Sequence, residues 1–391
     1  MSIKVLQIID TLGMGGAETW LMEVLRRWAG NGAGQMDFLS TSGQRGFFDE
    51  EARKLGGTLH YVPYGRRNLP GFARAFRRIL REGGYDAVHD HQDYASGWHF
   101  LLGGAALPKV RVTHVHTSAH VFAANHAASP LRRLTAQLGK RLVARHATHI
   151  AGTSRQLIGD YGFDTPAFSH IPKGALYCGF DVARFLGDRP AARAAVCGEF
   201  SWPADVRLAL FAGRIDPSPD PSHSHAQKNA GFAVDVAIAA ARQDSRLCLL
   251  LAGAPSPAVA LLERRIADAG MAGRIVFAGL RRDIDRLMIA ADALLFPSRG
   301  EGLGMVAVEA QAAGLPVLAS SAVPREAVVV PELVRFRDLA AGPGAWAGEL
   351  LELAAMPRDA AAANRKVAGS PFSIDHSANA LARLYAAGQL C

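Results

Sequence analysis

Two carboxylates, Glu301 and Glu309, stand among glycines and apolar side chains in SRGEGLGMVAVEAQAAGLPVLAS, residues 298–320. A buried carboxylate without partners is costly, so each needs hydrogen-bond donors. DALLFPS reads as a strand, RGEGLG as a loop and MVAVEAQAA as a helix that Gly314 and Pro316 stop. The start of that helix, near residues 302–304, offers free amides and the positive end of the helix dipole, which suit a phosphate or diphosphate. Glycines let the backbone come close to such a group. Glu309, about two turns into the helix, could meet a ribose diol, and Glu301, before it, sugar hydroxyls. Spacing alone leaves two readings open. One is a site for a nucleotide carrying a sugar. The other is a helix-terminus contact by Glu301 and a structural hydrogen bond by Glu309.

The elements that must position these groups repeat along the chain. IKVLQII, MDFLS, LHYVP, YDAVHDH, VRVTHVH and ATHIAGTS read as strands, and amphipathic helical segments separate them. The pattern weakens from about residue 172 to 203, then restarts with VRLALFAGR, LCLLLAG, RIVFAGL, DALLFPS and LPVLAS. Alternating strands and helices imply parallel sheets covered on both faces. The fold class is α/β, with two Rossmann-like doubly wound domains facing each other across a cleft. Ligands of such sheets sit beyond the carboxyl ends of the strands. The expected domains are residues 1–185, binding the acceptor, and 186–391, binding the nucleotide sugar. A C-terminal helix at about 373–388, starting at Ser373, is expected to return to the first domain.

The bulk numbers agree with a soluble globular chain: 391 residues, 49% hydrophobic and 20% charged. No apolar run is long enough to span a bilayer, and the N-terminus enters a strand without a signal-peptide pattern. Four scattered cysteines make neither a disulfide framework nor a zinc site, so a cytoplasmic location is expected. The net charge of +8 is uneven: 23 basic against 15 acidic residues lie in 1–190, and 20 against 20 in the remainder. The first half is therefore expected to meet an anionic partner.

At this point the motifs converge. LQIIDTLGMGGAETWLMEVL, YDAVHDHQDYASG, VRVTHVHTS, FAGRIDP with QKNAGFAVDVAIAA, the segment 292–320 and PFSIDHSANALARLY occur in order along the chain. Together they resemble the retaining glycosyltransferases of family 4, with the GT-B fold and an E-x7-E signature. The resemblance implies that Arg214 and Lys228 clamp the donor diphosphate in place of a metal ion. It implies that amides at Gly302, Leu303 and Gly304 complete the phosphate site, that Glu309 holds the ribose and that Glu301 holds donor-sugar hydroxyls. Gly15 and Gly16 would form a loop between donor phosphate and acceptor, and His116 would sit at the reacting sugar, at its 6-hydroxyl. Here IDPSPDPSHSHAQ separates Arg214 from Lys228, a longer loop than the family usually has. Its His223 and His225 read as part of a proline-rich surface loop rather than as metal ligands.

No cofactor and no metal are expected beyond a UDP- or GDP-linked sugar donor. Asp283 and Asp285 match a metal-binding D-x-D but begin a helix, where Asp caps or occupies the first turn. GMGGAE lacks the third glycine of a dinucleotide fingerprint, and no acidic residue ends the second strand. Basic amphipathic segments around Arg66, Arg67, Arg74, Arg77, Arg78 and Arg81, and around Arg132, Arg133, Lys140, Arg141 and Arg145, suit the anionic inner face of a membrane. The resemblance extends to bacterial exopolysaccharide and capsule enzymes, which act on lipid-linked glycans. A nucleotide-sugar epimerase of the same architecture is the alternative. No recognised nucleic-acid module is present.

Overall fold

A computed structural model of the protein describes residues 3–118, 121–122, 129–220, 223 and 226–390; His225 and Cys391 lie outside them. The chain divides into two units, Met1–Phe180 with Pro371–Cys391, and Asp181–Ser370.

In the first unit the chain runs β1 (Ile3–Ile9), α1 (Gly16–Asn31), β2 (Gly34–Ser40), α2 (Asp49–Lys54), β3 (Leu59–Tyr61), α3 (Leu69–Gly83), β4 (Ala87–Asp90), α4 (Ala95–Gly103), β5 (Val110–Val115), α5 (Pro130–His146), β6 (His149–Gly152), α6 (Arg155–Asp160) and β7 (Lys173–Ala175). The seven strands form a parallel sheet in the order β3-β2-β1-β4-β5-β6-β7. The order reverses direction beside β1, the place where open sheets of this type bind ligands. Burial explains the strand content. Helices cover both faces, so β1 and β4 carry runs of buried residues rather than an alternating pattern. On one face Phe72, Phe76, Ile79 and Leu80 of α3 pack against Leu6, Ile8 and Val88. α3 ends on Gly84, whose φ of 60° is the left-handed conformation that terminates helices.

The C-terminal helix, Ile374–Ala387, belongs to this first unit. The Ser373 hydroxyl caps it by accepting from the amide of His376. Trp20 of α1 donates to Ser377 Oγ at 2.7 Å, and Trp28 meets Tyr385 edge-on.

The second unit runs α7 (Arg189–Glu199), β8 (Arg207–Ala212), α8 (Ala230–Gln243), β9 (Leu247–Ala252), α9 (Ala258–Asp268), β10 (Ile275–Gly279), α10 (Ile284–Ala290), β11 (Ala293–Phe296), α11 (Met305–Ala312), β12 (Val317–Ser320), β13 (Val334–Arg337), α12 (Gly342–Leu353) and α13 (Ala360–Ala368). Its parallel sheet has the order β10-β9-β8-β11-β12-β13. β9 and β11 are buried along their whole length. Trp346 and Leu350 of α12 and Val236 and Ala240 of α8 fill one face of this sheet.

Several elements lie outside the sequence pattern, the helices α6, α12 and α13 among them. β7 has three residues, too few to show a period. β13, VRFR, is an edge strand with arginines, and none of its residues is fully buried. α7 has only Ala192, Val196 and Cys197 buried, and the Asp188 carboxylate and a proline in its first turn start it.

Phe76→Ala should destabilise the first unit by roughly 3–5 kcal/mol, because a fully buried ring leaves a cavity that its neighbours fill only in part. Urea unfolding followed by circular dichroism measures this. A loss below about 1 kcal/mol would mean that this face is loosely packed.

Candidate functional site

In the second unit, β8 and β11 are neighbours, and the loops leaving their carboxyl ends carry most of the expected donor residues. Lys228 stands just before α8, and its Nζ lies 2.7 Å from Glu301 Oε1. The Ser298 hydroxyl donates to the same oxygen at 2.6 Å. The ammonium also sits 5.8 Å from the centroid of the Phe296 ring, a favourable placement for a cation. Arg214 is exposed, and its Nη2 lies 3.5 Å from Gln227 Oε1. Gln227 in turn donates to the carbonyl of Gly300 at 3.0 Å, which ties the two loops together.

The long loop between Arg214 and Lys228 is closed at its base by Asp216. This buried carboxylate accepts from the consecutive amides of Gln227, Lys228 and Asn229 at 3.1, 3.1 and 2.5 Å. The chain therefore reaches Lys228 in a defined position whatever the loop's length. Asn229 then turns into α8 with a φ of 62°, and its side chain donates to the carbonyl of Pro297. Asp216 and Ser298 were not singled out from the sequence. Asp216 could have been found as a lone acid between Arg214 and a proline-rich stretch, since Asp commonly collects amides in turns.

α11 begins at Met305 on the left-handed Gly304, with a φ of 92°. A Cβ there would lie 3.0 Å from Phe296 and 3.2 Å from Val323, so glycine is required by both conformation and space. Gly302, Leu303 and Gly304 are buried in front of this helix. Glu309 lies little more than one turn inside α11, not two, because the helix starts after Gly304 rather than at Gly302. The residue is half-buried. Burial pushes its carboxyl up to about 7, against the pull of the Arg184 and Lys228 charges. No hydrogen-bond partner holds it among the described residues.

In the first unit, α1 starts at Gly16 with Gly15 at its cap position. The expected loop of Gly15 and Gly16 is thus the first turn of a helix. The Glu18 side chain folds back so closely that a Cβ on Gly15 would collide with its carboxylate. His116 follows β5, and its Nε2 lies 2.8 Å from His91 Nδ1. Burial pushes the His116 imidazole down to about 3, so it is neutral. His89, His91 and His114 hold ring nitrogens within 4.8 Å of one another, close enough for a metal ion. Asp93 sits beside this cluster with a φ of 48°, and burial raises its carboxyl to about 7. It helps line a cavity of about 460 Å³ walled by Tyr64, Tyr94, Trp98 and Phe122, with Arg66 at its edge. The period of two in HDH and HVH was the available signal that these histidines share a face.

Asp283 and Asp285 do start α10, as expected, but neither side chain caps it. Asp283 is paired with Arg281 and Arg286, and Asp285 with Arg184. The Arg281 guanidinium holds the Asp283 carboxyl below its usual range. Their charges are spent on ion pairs.

The raised Glu309 carboxyl has a consequence for stability. Its folded value lies above the unfolded value, so the folded state loses stability as pH rises from about 4.5 through about 7. Glu309→Gln should stabilise the ligand-free protein by roughly 2–3 kcal/mol at pH 8, with the gain vanishing near pH 4.5. Denaturation at the two pH values measures this, and a gain independent of pH would contradict it.

Comparison with known proteins gives the family. Residues 14–174 match the family model described as Glycosyltransferase Family 4, and residues 209–355 match Glycosyl transferases group 1. EpsF of Bacillus subtilis (strain 168), a protein assigned as a glycosyltransferase, is 29% identical over 361 residues, covering 91% of this chain and 88% of its own. Among solved structures, Alr3699/HepE of Anabaena in complex with UDP and glucose superimposes with a TM-score of 0.73 at 18% identity, over 97% of this chain and 98% of that one. WaaG, a glycosyltransferase involved in lipopolysaccharide biosynthesis, gives 0.65 at 18% identity over 98% and 95%. These matches lend no support to the epimerase alternative. The chain belongs to the group 1 glycosyltransferases of family 4 and has their GT-B fold.

Proposed function

We propose that this glycosyltransferase moves a sugar from a UDP- or GDP-linked donor to a hydroxyl of a lipid-linked glycan, with retention at the anomeric carbon and without a metal ion. The observation that carries the donor half is the Lys228–Glu301 pair at 2.7 Å in front of the α11 amides. An ammonium, an exposed guanidinium at Arg214 and a helix start can together hold a diphosphate. Glu301 would pass from Lys228 to the sugar hydroxyls, and Glu309 would accept from a ribose. Gly15 and Gly16 would face the diphosphate with the first amides of α1. The UDP and glucose held by Alr3699/HepE make UDP-glucose the first donor to test.

In this reading the acceptor oxygen bonds to the anomeric carbon while the bond from that carbon to the diphosphate breaks. The acceptor proton passes to the leaving diphosphate on the same face. His116 would accept a hydrogen bond from the reacting sugar. The protein then contributes position and charge stabilisation, with Arg214 and Lys228 meeting the negative charge that develops. The domain assignment, 1–185 for the acceptor and 186–391 for the donor, is part of this proposal.

The cavity beside Asp93 supports an acceptor subsite, since aromatic walls suit the apolar face of a sugar ring. At the start of α5, Leu131 and Leu134 are exposed beside the exposed Arg132 and Arg133, a composition that suits an anionic membrane surface. No described helix is long and apolar enough to cross a membrane. Peripheral association at the cytoplasmic face, in assembly of a bacterial surface glycan, follows as the proposed setting. The WaaG resemblance is in keeping with it.

Arg214→Ala and Lys228→Ala should each lower UDP release from the active donor by about 100-fold or more, with the fold intact and with chelator present throughout. Unchanged rates in both would remove the clamp assignment. Co-sedimentation with vesicles tests the setting: binding should require anionic lipid and weaken with salt. Equal binding to neutral vesicles would count against it.

A further inference from the structure

Gln7 of β1 stands in register with His89 of β4, fully buried, at the centre of a hydrogen-bonded chain of imidazoles. On one side Gln7 Oε1 lies 2.8 Å from His91 Nε2, and His91 Nδ1 lies 2.8 Å from His116 Nε2. On the other, Gln7 Nε2 donates to the Tyr385 hydroxyl at 3.1 Å, which lies 2.6 Å from His89 Nδ1. His89 Nε2 then lies 3.1 Å from His114 Nδ1. Trp20 packs edge-on against His91 and His114 and tilted against His116, which closes the cluster.

A neutral imidazole carries one N–H, and among the described residues these rings bond only to one another, to Gln7 and to Tyr385, with no carboxylate to hold a second proton. The amide has two unlike ends, so it dictates where each proton sits. A carbonyl oxygen only accepts, so His91 carries its proton on Nε2 and leaves Nδ1 bare. His116 must then donate from Nε2, which leaves its own Nδ1 as a lone pair. On the other arm the amide N–H occupies the tyrosine oxygen, so the hydroxyl donates to His89 Nδ1. His89 donates from Nε2 to His114 Nδ1, and the last proton stays on His114 Nε2, a buried nitrogen with no partner among the described residues. One side-chain amide thus sets four tautomers. Among the described residues no hydrogen bond reaches His116 Nδ1, and unlike His114 Nε2 it is a lone pair that a ligand hydroxyl could meet.

We propose that Gln7 is a positioning residue for the transfer: acting through His91 it fixes His116 as an acceptor, so that the sugar at His116 is recognised by a hydroxyl and not by a carboxylate. This rests on the reading of His116 as the group at the reacting sugar. A bare nitrogen facing a hydroxyl gains a hydrogen bond. Facing a carboxylate it meets a second acceptor, and both groups lose their water without compensation. The donor class that follows is a neutral hexose rather than a uronic acid.

Two-bond proton–nitrogen correlation spectra of protein labelled with nitrogen-15 in histidine report each tautomer without any assay. The wild-type protein at pH 7.5 should show His116 with its proton on Nε2. A proton on His116 Nδ1 overturns the proposal, and so does a wild-type spectrum in which added zinc shifts the His89, His91 and His114 nitrogens together. In Gln7→Leu the His116 signals should move toward a mixture of tautomers. The kcat/KM preference for UDP-glucose over UDP-glucuronate should fall about tenfold in Gln7→Leu, the scale of one lost hydrogen bond. An unchanged preference in Gln7→Leu overturns the recognition role. Absence of turnover with every nucleotide sugar, beside the expected wild-type spectrum, would instead sink the transfer reading and leave the amide-set tautomers standing.

Discussion

Asp216 collects three consecutive backbone amides, and the second unit's candidate site depends on that collection. Three donors at the end of a long loop would otherwise compete for water, and the loop would wander. With the carboxylate beneath them, residues 227–229 form a fixed turn, and Lys228 projects to Glu301. A half-buried ion pair is a poor source of net stability, because desolvation offsets most of the attraction. Its value here is geometric. The pair holds a cation in front of the α11 amides without a ligand, and a diphosphate could take over from Glu301 at little cost.

The first unit reaches a similar end by different chemistry. Gln7, His89, His91, His114, His116 and Tyr385 hydrogen-bond to one another on and beside β1, β4 and β5. A parallel sheet covered on both faces leaves its carboxyl edge as the place where side chains can meet a ligand. Gln7, four histidines and Tyr385 use that edge as a neutral network, which can orient hydroxyl groups without attracting counter-ions. The neighbouring Asp93 carboxyl, raised to about 7 by burial, is about half-ionised at neutral pH. One unit therefore offers fixed charge and the other fixed hydrogen-bond polarity, a division suited to a substrate with an anionic half and a hydroxylated half.

Most elements were legible in the chain. IKVLQII, LCLLLAG and DALLFPS are runs whose burial on both faces could only come from a covered parallel sheet. Ser373 marked the last helix through its cap. Among the elements that were not read, β7, β13 and α7 bury little, so their residues carry little periodicity; α12 buries Trp346, Ala347, Leu350 and Leu353 and was missed all the same. Residue type singled out Glu301 and Glu309 as candidates and the resemblance added Arg214, Lys228 and His116; of these the structure brings Lys228 to Glu301. The site was less legible where position decided the role. The helix start at Met305 moved Glu309 a turn closer to the amides than its spacing suggested. Asp283 and Asp285 were placed correctly at a helix start, but their arginine partners come from residues that local spacing only partly reveals.

The amino-acid sequence by itself determined the class of the protein. Its strand–helix alternation, its ordered motifs and the carboxylates of the E-x7-E segment suffice, because burial patterns and turn-forming glycines act locally. Only the tertiary structure decided which groups meet. Asp216 reaches past a proline-rich loop to the amides before α8, and Gln7 near the start of the chain joins Tyr385 near its end. Hydrogen bonds of that range depend on sheet order and register, which no local pattern encodes. The proton positions on His91 and His116 follow from a single amide that becomes their neighbour only once β1 lies beside β4.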